Sequence, residues 1–314
     1  MGMLYILSIS LGLIALPLLV MLRRDQSKEK TIIAHRKKSS RFLNLPNGAR
    51  VHYCDEGNAD GSVVVLVHGF MASLYDFDLW AKTLGKDHRV IRLDMPGMGL
   101  TGSFPGIDHS LAGRAQFLKA FLDKLNIESA TIAGHSLGGG VAWVFALMYP
   151  EIVQRLVLVS AAGFDQATEP RSPPLGFRIA ETPILRGLAR VTGSQFMVAR
   201  SLEGVVHDPA IVDAEWVRRA TDMTLMGNNR ASILALRPFR SPENDVARMA
   251  DIKMPTLILW GVNDYLIPVR HGHLFAHRIK GSQLVTYADV AHYPQIEAAE
   301  QSAQDVLSFL SSSK

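Results

Sequence analysis

Cysteine is almost missing from this 314-residue chain, Cys54 being the only one. One thiol cannot close an intramolecular disulfide or build a thiolate zinc site, so the disulfide-stapled and zinc-finger classes are excluded. Charge is missing from a whole segment: Met1–Leu22 holds no Asp, Glu, Lys or Arg. Internal repeats and low-complexity tracts are missing too, which excludes solenoids and polar tails. With 48% hydrophobic and 20% charged residues, the chain is not disordered. Its length supports one large α/β domain or two small ones, with ample core.

An excess of positive charge is missing from most of the chain, although the totals suggest otherwise. There are 33 Lys+Arg against 29 Asp+Glu, a net charge of +4, and the pI is near 9.2. Arg23–Arg41 alone carries eight cations against Asp25 and Glu29, giving it +6 and leaving −2 for Phe42–Lys314. This flank has no interleaved aromatic residue and adjoins an apolar run, so no nucleic-acid partner is expected. The run itself, Leu4–Leu22, reads LYILSISLGLIALPLLVML. As a helix it spans about 28 Å, close to the hydrocarbon thickness of a bilayer. No Lys or Arg precedes it and no small-x-small cleavage site follows it, which predicts an uncleaved transmembrane signal anchor at residues 1–22. A basic juxtamembrane flank at residues 23–41 would face the cytoplasm and attract anionic headgroups. The expectation is a single-pass protein of a bacterial inner membrane or its equivalent, its large domain on the cytoplasmic side. Paired anchors would allow a homodimer.

Beyond the flank, short apolar runs alternate with helical stretches. The strand candidates are Val51–Cys54, Val63–Val67, Val90–Leu93, Ala130–Ala133, Leu156–Ser160, Thr256–Trp260 and Leu284–Tyr287. The inner ones (VVVLV, LVLVS, TLILW) are continuously apolar, as expected for strands covered on both faces. Helical segments lie at Ser110–Leu125, Leu137–Tyr149 and Ile296–Leu310. The alternation predicts an α/β fold with a mostly parallel, doubly wound sheet. Between Ser160 and Thr256 the rhythm breaks. Thr182-Pro183 reads as an N-cap followed by a first-turn proline, with Ile184, Leu185, Leu188 and Val191 on one face. Asp213–Met226, with Trp216, is another helical stretch. These residues predict a helical cap at 164–239, inserted into a core made of 42–163 and 240–314.

The sharpest motif is Gly134-His135-Ser136-Leu137-Gly138, between the strand TIAG and a glycine-rich helix. Strand, G-x-S-x-G and helix together describe a nucleophile elbow, with Ser136 on a tight turn at a helix N-terminus. Gly134 and Gly138 leave room for the turn, while Gly139 and Gly140 let the helix approach the sheet. His135 packs beside the serine. A serine hydroxyl needs a base, and the base needs an orienting carboxylate, in the chain order Ser…Asp…His. Asp264 follows the strand TLILW and His292 follows LVTY, so both stand on loops at strand C-termini, where open α/β sheets bind ligands. Asp289 and Asp165 are weaker candidates for the acid. His109, His207, His271, His273 and His277 lie away from strand ends. An oxyanion needs two N–H donors, and Leu137 with Phe70 of the His68-Gly69-Phe70-Met71 loop are the candidates. His68 has no partner ligands at metal spacing, and no metal or cofactor is expected. Cys54 reads as a packing residue.

The HGF loop, DMPGMGLT at Asp94–Thr101, GHSLGG, GVNDYLIP and AHYPQIEAAE together resemble the α/β-hydrolase superfamily, from about Phe42 to the C-terminus. With the N-terminal anchor, the chain looks most like membrane-anchored monoacylglycerol lipases and bacterial inner-membrane (lyso)phospholipases of that fold. The resemblance implies an acyl-Ser136 intermediate formed from a carboxylic ester, then hydrolysed by water that His292 activates. Serine at the elbow departs from haloalkane dehalogenases and epoxide hydrolases, which carry Asp there. The oxyanion loop lacks the G-P-G continuation of ring-cleavage C–C hydrolases and the HGGG form of another esterase group.

The anchor, the flank and apolar cap residues (Phe196, Met197, Leu202, Met223 and Met226) point to lipid-like esters: lysophospholipid, phospholipid or monoacylglycerol. A short-chain carboxylesterase is the alternative. A non-catalytic hydrolase-fold binding module is a further one, against which the complete Ser136, Asp264 and His292 set argues.

Overall fold

The computed structural model describes residues 24–164, 182, 194–235 and 246–312. Residues 1–23, with the expected anchor, lie outside them, as do Asp165, Pro183–Val191 and much of the expected cap. No helix among the described residues is long and apolar enough to cross a membrane.

Helix α1 (Lys28–His35) comes first, capped by the Ser27 hydroxyl. Strands β1 (Ser40–Asn44), β2 (Arg50–Gly57) and β3 (Val63–Val67) lead to α2 (Asp78–Leu84). Then come β4 (Arg89–Leu93), α3 (Leu111–Lys124), β5 (Ala130–His135), α4 (Leu137–Met148) and β6 (Val153–Val159). Helices α5 (Gln195–Glu203), α6 (Ala214–Leu225) and α7 (Asn229–Ala235) separate β6 from β7 (Thr256–Gly261). The chain closes with α8 (Val269–Arg278), β8 (Gln283–Tyr287), the single turn α9 (Pro294–Glu297) and α10 (Ala299–Ser311).

All eight strands form one sheet in the order β1-β2-β4-β3-β5-β6-β7-β8. β2 runs antiparallel to both neighbours, and every pair from β4 to β8 is parallel. The continuous apolar runs follow from this arrangement, because successive side chains alternate faces. Val64, Leu66, Leu257 and Leu259 pack with Trp80 of α2 and Val306 and Phe309 of α10. Val65, Val67, Ile258 and Trp260 pack on the other face with Phe121 of α3, Trp143 of α4 and Phe275 of α8.

Two elements depart from the sequence expectation. The basic flank is not a bare tether, since α1 and the start of β1 lie within residues 23–41. β1 is an edge strand whose mixed SRFLN composition carries no apolar run. The signal for it is Asn47-Gly48 in the loop to β2, where Gly48 takes φ +82° and Leu45 N–H bonds Ala49 C=O at 2.9 Å.

Candidate active site

Helix α4 begins immediately after β5, and the residue at the junction is Ser136. It adopts φ 53°, ψ −116°, a conformation that L residues rarely hold and that costs about 1–3 kcal/mol. The surroundings enforce it. Ser136 N–H bonds Val159 C=O at 2.9 Å, and its own carbonyl accepts from Gly140 and Ala162 at 3.0 and 2.9 Å. The turn also requires glycine on both sides. A Cβ at Gly134 would sit 2.2 Å from Gly138 O, and one at Gly138 would sit 2.2 Å from Val67 O. Leu137 opens α4, so its N–H is among those a helix leaves without an intrahelical acceptor.

The loops after β7 and β8 bring the other two residues together. Asp264 Oδ1 accepts from the N–H groups of Leu266 and Ile267 at 2.9 and 2.8 Å. This leaves Oδ2, which lies 2.8 Å from His292 Nδ1. With Nδ1–H donating to the carboxylate, the lone pair of the neutral imidazole falls on Nε2. Among the described residues no hydrogen bond joins Ser136 to His292, but both line one cavity. Such bonds are often long before substrate binds. Asp289 is exposed, and Asp264 is the carboxylate on His292.

The cleft, counted with the solvent-open space at its mouth, spans about 530 Å³ and is also lined by Phe70, Met71, His135, Val198, Ser201, Leu202, Val205, Ala220, Leu266 and Tyr293. Phe70 therefore stands beside Ser136 at the adjoining strand end. Of the apolar residues proposed from the cap sequence, Leu202 reaches the cavity, while Met223 and Met226 are buried against Leu74, Tyr75 and Leu100. Phe196 is 70% exposed. No Lys or Arg is among the described lining residues. Nor does any group of three His, Cys, Asp or Glu among the described residues stand ready to hold a metal ion.

Four supporting residues carry more than the sequence indicated. His135 donates Nε2–H to the carbonyl of His292 at 2.7 Å, and its ring lies tilted against Tyr293, centroids 4.6 Å apart. Burial, reinforced by neighbouring His292, pushes its pKa well below the ordinary imidazole range, so it stays neutral. Glu297 holds the His292 loop from α9: its carboxylate accepts from Tyr293 N–H at 2.9 Å and Ala291 N–H at 3.1 Å. It also accepts from His207 N–H at 2.6 Å, while Val205 C=O takes the His292 N–H at 3.0 Å. The segment after α5 is thus stapled to the His292 loop.

Asp94 organises the loop next to the HGF turn. Its carboxylate accepts from Leu74 N–H at 2.8 Å and Leu100 N–H at 2.7 Å, and meets His52 Nδ1 at 2.6 Å. Burial pushes this carboxyl up, but His52, its hydrogen bonds and nearby His68 outweigh burial and hold it below the usual range. The DMPGMGLT run is the loop that wraps this group. At Gly99, φ +51°, a Cβ would meet the Asp94 carboxyl at 2.1 Å. His68 bonds Gly69 C=O at 2.8 Å through Nδ1 and accepts Met95 N–H at 2.9 Å through Nε2. The HGF loop is thereby tied to the Asp94 loop.

A family model described as the alpha/beta hydrolase fold matches residues 62–190. The chain is similar to a 2-hydroxy-6-oxononadienedioate/2-hydroxy-6-oxononatrienedioate hydrolase of Paraburkholderia phymatum, with 30% identity over 286 residues, 87% of this chain and 96% of that protein. The solved meta-cleavage product hydrolase from Pseudomonas fluorescens matches with a TM-score of 0.73 at 26% identity, covering 86% of this chain and 97% of its own. A membrane phospholipase A described as a bacterial virulence factor shares the fold at a TM-score of 0.73 and 22% identity, over 98% of this chain and 96% of its own. Together with the eight-stranded sheet and the serine elbow after β5, these similarities make the chain a member of the α/β-hydrolase superfamily.

Proposed function

We propose that this hydrolase cleaves carboxylic esters of lipid-like substrates through an acyl-serine intermediate. The observation that carries the proposal is the Asp264–His292 pair at 2.8 Å, beside a strained Ser136, in a mainly apolar cavity. Ser136 Oγ attacks the ester carbonyl while His292 Nε2 takes its proton. The tetrahedral oxyanion is held by the N–H groups of Leu137 and Phe70; one such donor is worth about 2.7–4 kcal/mol in the transition state. His292 hands the proton to the departing alcohol, leaving the acyl group on Ser136. Water then attacks the acyl carbonyl, with His292 as base, and releases the acid and free Ser136. Neutral His135 places no competing positive charge beside His292.

Lysophospholipids, phospholipids or monoacylglycerols are the proposed substrates. Supporting this are Phe70, Met71, Val198, Leu202, Val205 and Leu266 on the cavity wall, and the uncharged run at Leu4–Leu22 with its basic flank, proposed as the membrane attachment. That attachment would hold the site on the cytoplasmic surface, close to amphiphilic esters.

The relatives favour a second reading, carbon–carbon bond hydrolysis of a ring-opened dienedioate. Such a substrate carries two carboxylates, and the described cavity wall offers them no cation. Hydrolysis of an ester panel graded by acyl length and head group, beside a ring-opened dienoate, tests both. Preference for long acyl esters is expected. Preference for acetate and butyrate esters would leave a short-chain carboxylesterase, and turnover of the dienoate alone would defeat the ester reading.

A further inference from the structure

The residues that follow the uncharged run are bound to the helices above the cavity. Gln26 N–H bonds Leu225 C=O at 2.7 Å and Gln26 C=O accepts from Gly227 N–H at 2.9 Å, a parallel bridge to the end of α6. The side chains on either side of α1 then converge on one carboxylate. Gln26 Nε2 donates to Asp222 Oδ1 at 3.0 Å, and His35 Nε2 meets Asp222 Oδ2 at 2.8 Å. Arg230 of α7 bonds Asp25 at 2.7 Å. The same segment grips the body of the protein. Lys28 Nζ donates to Ser103 C=O at 2.6 Å, and Tyr75 Oη donates to the carbonyl of His35.

Helix α6 connects this strap to the cavity. Ala220 lines the cavity, and Trp216 packs edge-on to Tyr293 at 5.5 Å. Ala220 and Asp222 are two residues apart, about 200° around the helix, so the strap holds the side away from the cavity. A helix moves as a unit, and a change in the grip on Asp222 is felt at Ala220.

We propose that residues 25–35 form a specificity-setting strap: by holding Asp222 they fix α6, and with it the cavity wall against which the acyl chain fits. Gln26, His35 and Asp222 are thus positioning residues. The choice of substrate in the test rests on the ester-hydrolase proposal, but the strap itself does not.

The test uses the full chain and its Asp222→Ala, Gln26→Ala and Asp222→Asn variants. Three quantities are measured: kcat and KM for p-nitrophenyl esters from acetate to palmitate, the rate of labelling by a small fluorophosphonate, and hydrogen exchange of Ala214–Leu225. For Asp222→Ala, KM for long-chain esters is expected to rise about tenfold relative to acetate, with labelling unchanged within about twofold and exchange in α6 faster. Gln26→Ala, which leaves the His35 contact in place, moves the same quantities less. Asp222→Asn keeps an oxygen acceptor and recovers most of the wild-type profile. Equal losses at every chain length together with slowed labelling would overturn the proposal, and so would an unchanged ester profile with unchanged exchange. If wild type cleaves none of the esters, the proposed function fails. The exchange arm then decides only whether the strap holds α6: faster exchange upholds that hold and unchanged exchange refutes it.

Discussion

Asp76 shows how far single-residue chemistry here is set by burial. Its Oδ2 is buried without a hydrogen-bond partner among the described residues. Burial pushes its carboxyl up to about 7; Arg219 opposes this, and Asp78 and Asp94 add to it. In the unfolded chain the group ionises near its ordinary value of about 4. The native state therefore binds the proton more tightly between these values. The resulting stabilisation is full at low pH and is lost as pH rises through about 7. Asp76→Asn should be more stable than wild type at pH 8, by about 1–3 kcal/mol in urea unfolding, with the gain shrinking toward pH 5. An equal effect at both pH values would contradict this origin. The strand-end positions of Ser136, Asp264 and His292 were legible because each follows an apolar run. His52 was not. It sits inside a strand, and its partner Asp94 lies 42 residues away, a proximity that appears only when β2 pairs with β4.

At the scale of elements, the Glu297 carboxylate gathers three backbone N–H groups at the His292 loop. Glu297 accepts from the N–H groups of Ala291, Tyr293 and His207, for which no other acceptor stands among the described residues. Glu297→Ala is expected to lower kcat by about tenfold or more with KM for a short ester little changed, and Glu297→Gln to recover part of it. A rise in KM alone would place Glu297 in substrate binding instead. The strands were readable because burial on both faces forces unbroken apolar runs, as in Val63–Val67. The helix at Ala214–Leu225 was readable from Asp213, whose side chain caps Trp216 N–H at 2.7 Å. Edge strand β1 and helix α1 were not read, because neither carries a long apolar run: β1 shows itself by pairing with β2, and the partners of α1, Tyr75 and Asp222, lie far off in the chain. The missing G-P-G form does not set the chain apart in overall similarity, since meta-cleavage product hydrolases are among its relatives. A loop form is one local feature, whereas relatedness is spread over the whole sheet.

At the scale of the molecule, the uneven charge and the cavity wall support one arrangement. The basic excess lies in residues 23–41, and part of that flank is folded against α6 rather than left free. Membrane attachment through residues 4–22 is proposed, and deleting residues 1–23 is expected to move the protein from the membrane pellet to the soluble fraction with Ser136 still reactive. Retention in the pellet would contradict it. The overall α/β architecture was legible from strand–helix alternation, but the seating of α5 and α6 over the cavity was not. It depends on contacts such as Val205 with His292 and Trp216 with Tyr293, which join distant parts of the chain. Ser136 is proposed to carry the acyl group. Wild type and Ser136→Ala, each mixed with a long-chain p-nitrophenyl ester and acid-quenched within the first turnover, can be digested and mapped by mass spectrometry. An acyl adduct is expected on the peptide containing Ser136 in wild type and none in the variant. Turnover without an adduct at Ser136, or an undiminished rate in Ser136→Ala, would contradict it.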